Sequence, residues 1–200
     1  MTSVRPGPAR SETPGRQYFP TPEAEDLPPN LQSLFARAEA ELGFVPNVFR
    51  AYAHRPERFS AWFAHYRQLN APTETLTRAD REMIAVVVSN INNCTYCLVS
   101  HGHDLREEVG AVAADRITFN WRHADLDDRQ RAICAYVEKL TKEPATLDRS
   151  DLDGLADAGL TDDDIWDVVE LASMYAFTNR MSSAMGHLPN PEYHHRHREG

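Results

Sequence analysis

The sequence predicts an all-α protein, because helical periodicity recurs along the chain while no segment alternates convincingly between apolar and polar residues. Residues that favour helix starts precede the apolar stripes, and glycines follow two of them. The chain has 200 residues, 42% of them hydrophobic, which is enough for one sizeable core. We expect roughly seven to nine helices in a single domain.

Residues 1–30 are rich in proline and lack periodicity, so they are predicted to form an extended or disordered arm. The helical domain is predicted over residues 31–186. Its first apolar stripe stops before Gly43 and consists of Leu31, Leu34, Phe35, Ala38 and Leu42. A second, aromatic stripe, expected in the core, at a subunit interface or along a ligand pocket, consists of Phe59, Trp62, Phe63 and Tyr66.

The later helices are predicted from the residues that can cap them. The expected N-caps are, in order, Thr77, Asp127, Ser150 and Thr161. Asp80 and Asp164 each stand three residues after a threonine and complete a capping-box pattern. The last helix is expected to run to Met185, before Gly186. The polar residues 187–200 are predicted to be a loose tail.

Composition excludes several classes of function. The longest apolar run, residues 84–88, is too short to span a bilayer, and prolines replace the apolar core of a secretory signal, so we expect a cytoplasmic protein. The formal net charge of −9 argues against binding a phosphate backbone, so nucleic acid is not an expected partner. Three cysteines do not make a secreted disulfide framework.

The chemistry is concentrated in one segment, where Cys94, Cys97 and His101 follow Glu82. A Cys-X-X-Cys pair in a reducing compartment is typical of redox catalysis or of metal binding. In an unbroken helix, Glu82 and Cys94 would lie about 18 Å apart. The asparagines of residues 90–93 favour a turn, so we expect an antiparallel helix pair with Asn93 as the cap of the second helix.

In that pair, Glu82 is expected to meet His101 rather than the thiols. Cys94, Cys97 and His101 share one helix face, because they are spaced three and four residues apart. The carboxylate would fix the imidazole tautomer and leave the other ring nitrogen to accept the proton of Cys97. The positive end of the helix, in contrast, acts most strongly on Cys94. The residues alone therefore leave the identity of the nucleophile open.

The motif Glu82-x11-Cys94-x2-Cys97-x3-His101 resembles the core motif of the alkylhydroperoxidase D-like superfamily, which includes carboxymuconolactone decarboxylases. The resemblance extends from about residue 31 to residue 185. Three segments resemble the peroxidase-related subgroup in particular: residues 43–47, the aromatic helix after Pro56, and residues 76–82.

The resemblance implies an all-helical, homo-oligomeric thiol peroxidase without a cofactor or bound metal. Cys97 would attack the hydroperoxide substrate, Cys94 would resolve the sulfenic acid as a disulfide, and Glu82 and His101 would relay protons. A dithiol reductant, such as a lipoyl-bearing protein, would reduce the disulfide again. One departure concerns substrate and activity: Tyr96 occupies the position before the second cysteine, where alkylhydroperoxidase D enzymes carry a histidine.

Two alternatives remain at this point. The first is a zinc-stabilised or thiol-sensing module with Cys94, Cys97, His101 and His103 as ligands, although a closed site usually needs a second ligand pair on another segment. The second is decarboxylase-type chemistry on the same scaffold, since a fold does not determine one reaction. Cys134 lies in a helix stripe and is expected to be a buried, inert thiol, whereas His103 is expected at the surface.

Overall fold

The computed structural model describes residues 18–198, and in that range the chain forms ten α-helices and no strand. The helices are α1 (Pro29–Leu42), α2 (Asn47–Tyr52), α3 (Pro56–Leu69), α4 (Arg78–Ile91), α5 (Thr95–Val109), α6 (Ala111–Asn120), α7 (Asp128–Lys142), α8 (Arg149–Asp157), α9 (Asp162–Met185) and α10 (Pro191–His195). Short 3-10 turns occupy Ala24–Asp26, Trp121–His123 and Pro144–Thr146. The all-α prediction is confirmed.

The two predicted capping boxes form at the starts of α4 and α9, and the predicted cap Asp127 forms a third box at the start of α7. Thr77, Asp127 and Thr161 each accept the backbone N–H three residues on, and the side chain at that third position accepts the N–H of the cap in return. The prediction for α8 is wrong by two residues. Asp148 caps that helix and accepts the N–H of Ser150, because a carboxylate is the stronger acceptor.

The number of helices exceeds the predicted seven to nine. The excess comes from α2 and α10, which have six and five residues. Helices this short complete fewer than two turns, so no apolar stripe can reveal them in the sequence.

Helix α4 lies at the centre of the main core and packs against α5, α6, α7 and α9. Its side chains Ile84 and Val88, together with Ile133 of α7 and Leu171 of α9, are almost completely removed from solvent. Residues 83–88 of α4 are all apolar and face every side of the helix, so neighbours must cover it, and that burial holds the start of α5 in place.

A second apolar cluster joins α1, α2 and α3, and Trp62 packs against both clusters. Leu31 and Phe35 of α1 contribute to it, as does Phe59 of α3. This packing sets the aromatic stripe of α3 beside the helix pair that carries the cysteines. No helix within residues 18–198 is both long enough and apolar enough to cross a bilayer.

Both ends of the described chain differ from the sequence predictions. Residues 1–17 of the predicted arm lie outside the described residues, whereas Leu27 is buried and α1 begins at Pro29. The prediction of a loose tail is wrong for residues 187–198. Asn190 and Tyr193 are buried, because Asn190 accepts the Asn47 N–H and Tyr193 packs edge-on against Phe44.

Candidate active site

The turn between α4 and α5 reverses the chain and sets up the site. Asn93 has a φ of 51°, a left-handed conformation that asparagine tolerates better than most residues. Cys94 then adopts extended backbone angles, and its sulfur accepts the N–H of Cys97. The predicted turn is confirmed, but Cys94 rather than Asn93 is the N-cap, since Asn93 is used for the reversal.

The two motif thiols lie against each other at the first turn of α5. The Sγ atoms of Cys94 and Cys97 are 2.9 Å apart, and both side chains are buried. A disulfide requires a separation of about 2.05 Å, so a small movement can join the sulfurs covalently. The pair is positioned for a dithiol–disulfide cycle that leaves the surrounding helices in place.

The contact between the two sulfurs makes the Cys94 thiol more acidic than the Cys97 thiol. The hydrogen bond from Cys97, supported by the backbone N–H of Cys97 and by Ser183, lowers the pKa of Cys94 to about 7 against the effect of burial. The same contact with Cys94, together with burial, raises the pKa of the Cys97 thiol. As the pH rises, Cys94 therefore ionises before Cys97, and the Cys97 thiol keeps its proton longer.

Glu82 and His101 meet as predicted. His101 Nδ1 and Glu82 Oε2 are 2.8 Å apart, and both side chains are buried. Burial alone would lower the pKa of His101, but the charge and hydrogen bond of Glu82 raise it above its ordinary value. Burial also raises the pKa of Glu82, which His101 partly offsets. The pair is buried and can hold and release a proton. Nδ1 of His101 is occupied by Glu82, which leaves Nε2 for a ligand.

A cavity of about 260 Å³ lies beside His101 and one of the two thiols. Cys97 and His101 both line it, whereas Cys94 does not. The cavity is bounded on the apolar side by Trp62 and Tyr66 of the aromatic stripe and by Tyr96. In the described part of the chain, no hydrogen bond joins His101 to either thiol. A molecule bound in the cavity could contact both His101 and Cys97, since both residues line it.

Tyr96 has a structural role at the position of the family histidine. Its ring is buried, and its hydroxyl accepts the N–H of Val48 at the start of α2. Burial is the main cause that raises the pKa of Tyr96 well above its ordinary value, so the hydroxyl stays protonated. Tyr96 therefore ties α2 to α5 and cannot replace a histidine as a base.

Sequence reasoning missed the polar residues that α9 brings to the thiols. Ser182 Oγ lies 3.9 Å from Cys97 Sγ, and it also lies 3.2 Å from Nδ1 of His187. Asn179 donates to Ser89 on α4 and accepts from Asn92 in the turn, which braces the start of α5. The available signal was the placement of Thr178, Asn179 and Ser182 at helical spacing, where a simple apolar stripe would carry hydrophobic residues.

The ligand set of the zinc alternative does not assemble. His103 was expected at the surface, but it is buried. Tyr193 and His197 from the C-terminal segment cover it. Its Nδ1 atom pairs with Asp104, away from the cysteines. Within residues 18–198, the side chains whose ligand atoms lie close enough together to hold a metal ion are Glu82, His101 and Asp104. This group contains neither thiol of the motif. Cys134 is buried as predicted, and burial raises its pKa to about 12.

Comparison with known proteins identifies the family. The sequence profile of the Carboxymuconolactone decarboxylase family matches residues 56–139. An uncharacterized peroxidase-related protein from Ralstonia eutropha JMP134, described as an alkylhydroperoxidase AhpD core, is 36% identical with a TM-score of 0.84, covering 89% of this chain and 94% of its own. A peroxidase-related protein from Silicibacter sp. TM1040 is 37% identical with a TM-score of 0.87, covering 95% of this chain and 100% of its own.

The chain therefore belongs to the carboxymuconolactone decarboxylase and alkylhydroperoxidase D superfamily. The debrominase Bmp8, in complex with 2,3,4-tribromopyrrole, shares the fold at 21% identity and a TM-score of 0.73, covering 86% of this chain and 91% of its own. No curated protein matches the sequence significantly.

Proposed function

We propose that the protein is a thiol-dependent peroxidase that reduces organic hydroperoxides and acts in antioxidant defence. The observation that supports this proposal most directly is the contact of 2.9 Å between the sulfurs of Cys94 and Cys97 at a cavity that His101 also lines. Thiols poised for a disulfide next to a buried acid–base pair are suited to two-electron peroxide chemistry. The two peroxidase-related relatives support the same class of reaction.

In the first step, Cys97 attacks because it lines the cavity, whereas Cys94 does not. Its proton must leave first, and the adjacent Cys94 thiolate is one acceptor at 2.9 Å. The Cys97 thiolate then attacks an oxygen of the hydroperoxide, the O–O bond breaks, and the S–O bond of a sulfenic acid forms. The departing alkoxide takes a proton from His101, whose imidazolium Glu82 stabilises.

In the second step, Cys94 attacks the sulfenic sulfur of Cys97. A disulfide forms, and the sulfenic oxygen leaves as water after it accepts the proton that Cys94 took from Cys97 in the first step. The two electrons that reduced the hydroperoxide have then come from the two thiols. A dithiol reductant, such as a lipoyl-bearing protein, restores the pair by thiol–disulfide exchange. The proposal also includes a cytoplasmic location and a homo-oligomeric assembly.

The experiment is a mass-spectrometric count of alkylatable thiols before and after one equivalent of cumene hydroperoxide. We expect the loss of two thiols, a peptide linking Cys94 to Cys97, and an unmodified Cys134. The matched control is Cys134→Ser, which should lose the same two thiols. If Cys94 and Cys97 both remain alkylatable, or if only intermolecular links form, the proposed cycle is wrong, and decarboxylase-type chemistry becomes the better hypothesis.

A further inference from the structure

His187 lies immediately beyond α9 and folds back onto the helix. Gly186 has a φ of 67°, the left-handed conformation that commonly ends helices, and it turns the chain so that the His187 N–H donates to the Ser182 carbonyl at 2.9 Å. The ring is then held with Nδ1 at 3.2 Å from Ser182 Oγ. Only 7% of the residue is exposed. The backbone therefore fixes the His187 ring against one hydroxyl.

The same hydroxyl contacts the thiol that faces the substrate cavity. Ser182 Oγ lies 3.9 Å from Cys97 Sγ, within the range of a sulfur hydrogen bond. Cys97, Ser182 and His187 thus form a continuous hydrogen-bonded chain. It uses α9 and the segment after it, whereas Glu82 and His101 come from α4 and α5.

His187, at the far end of these hydrogen bonds, does not line the cavity that Cys97 lines. His187 lines a cavity of about 440 Å³ that contains neither cysteine. The rings of Tyr52 from α2 and Tyr96 from α5 pack against the imidazole at 5.8 and 6.3 Å. The basic side chains that face the same cavity are His54, Arg55 and Arg58. A proton that reaches His187 can therefore leave the thiol site without entering the cavity that Cys97 lines.

We propose that His187 is a positioning residue that acts through Ser182 to remove the proton of Cys97 and to stabilise the resulting thiolate. The inference rests on the proposed thiol chemistry of Cys97, and it assigns to the segment after α9 a function that the Glu82–His101 pair does not supply. His101 would donate a proton to the departing alkoxide, whereas His187 would handle the proton of the attacking thiol. Two separate routes allow one proton to be removed while another is delivered.

The proton balance is complete along the chain. The single S–H of Cys97 can donate either to Cys94 or to Ser182. When it donates to Ser182, the Ser182 hydroxyl donates to Nδ1 of His187. When Cys97 ionises, its proton passes to Ser182, the serine proton passes to Nδ1, and the Nε2 proton leaves on the side of the larger cavity. The hydrogen bonds are then reversed, so that His187 donates to Ser182 and Ser182 donates to the thiolate. One proton has been transferred, and the reversed chain favours the charged sulfur.

The environment of His187 suits this function. Burial lowers its pKa to about 4, so the ring is neutral at neutral pH and can accept at one nitrogen while it releases from the other. A ring held permanently as imidazolium would have no free acceptor for the serine proton.

The test uses Cys97 as the sole thiol, in a Cys94→Ser, Cys134→Ala background, and measures its alkylation by iodoacetamide as a function of pH. We expect His187→Ala to slow alkylation about tenfold at pH 7, equivalent to raising the pKa of Cys97 by about one unit. Free imidazole, which can enter through the adjoining cavity, should restore the rate. Ser182→Ala should be equally slow and should not respond to imidazole. The double variant should be no slower than either single variant.

The matched control is His54→Ala, because His54 lines the same cavity but makes no hydrogen bond to Ser182. It should alkylate at the parental rate. A parental rate in His187→Ala would overturn the inference, and so would a slow rate that imidazole does not restore. If His187→Ala does not fold, a parental rate and pH profile in the smaller change Ser182→Ala would overturn it as well. The assay contains no hydroperoxide, so its outcome is independent of the cumene hydroperoxide experiment.

Discussion

His101 Nδ1 lies 2.8 Å from Glu82 Oε2, although 19 residues separate the two along the chain. The contact exists because the turn at Asn93 sets α5 back against α4 and buries both side chains. An imidazole paired with a carboxylate in a buried place holds its proton more strongly than it would in water. The pH dependence of the protein should report this relationship.

We expect Glu82→Gln to slow the peroxide-driven oxidation of the cysteine pair by roughly a hundredfold, a typical effect for a general acid–base group. The folded protein raises the pKa of His101, so its protonated form persists at low pH and is lost as pH rises through that raised value. Without the carboxylate, burial alone should place the pKa of His101 below its ordinary value of about 6.5. The peroxide-driven oxidation should then be lost at a lower pH than in the wild type.

An NMR titration of His101 and a pH–rate profile measure this change. Glu74→Gln is the control, because Glu74 is an exposed carboxylate just before α4. An unaltered His101 titration in Glu82→Gln would show that the carboxylate does not govern the imidazole.

The two thiols should differ in both acidity and access. Because the pKa of Cys94 is lowered to about 7, the rate of wild-type oxidation should rise as pH rises through about 7. Cys94→Ser should accumulate a sulfenic acid on Cys97, which lines the cavity, whereas Cys97→Ser should react poorly. Dimedone labelling and peptide mapping locate the sulfenic acid. Its appearance on Cys94 instead would mean that acidity outweighs access.

Arg81 should be a major source of stability. Its side chain is 1% exposed, donates to the carbonyls of Leu69 and Leu76, and lies 2.7 Å from Asp167. We expect Arg81→Met to reduce the free energy of unfolding by about 3 kcal/mol, because it leaves two carbonyls and one carboxylate without their partner.

Urea unfolding with parallel circular dichroism measures the loss. Arg78→Met is the control, since Arg78 pairs with Glu107 and Glu108 at the surface and should contribute less than about 1 kcal/mol. Equal losses in the two variants would contradict this account of Arg81.

The segment after α9 should contribute to stability in spite of its polar sequence. Asn190 accepts the Asn47 N–H at 2.7 Å and donates to the Val45 carbonyl at 3.2 Å. Asn190→Ala should lower the free energy of unfolding by about 1–3 kcal/mol, because it leaves these backbone groups unpaired. His195→Ala, at an exposed position, is the comparison and should change little. Thermal unfolding of the two variants would refute the account if their midpoints agreed.

Local sequence was sufficient for much of the fold. The capping boxes at Thr77 and Thr161 act through residues three positions apart, so the sequence itself contains both partners. The contact of Glu82 with His101 was also predictable, because one turn between two regular helices determines which residues lie level with each other. The shortest helices, α2 and α10, were not predictable, because they are held by contacts such as that of Asn47 with Asn190.

The sequence by itself determined that the protein is helical, and it predicted which cysteines, histidine and carboxylate lie in the candidate site. The tertiary structure decided that Cys97 lines the cavity while Cys94 is the more acidic thiol, and that Ser182 of α9 contacts Cys97 and is itself contacted by His187. Spacing along one helix specifies which side chains share a face, because helical geometry is regular. Cavities and contacts between distant helices depend instead on how all the apolar faces pack together, and no local pattern records that arrangement.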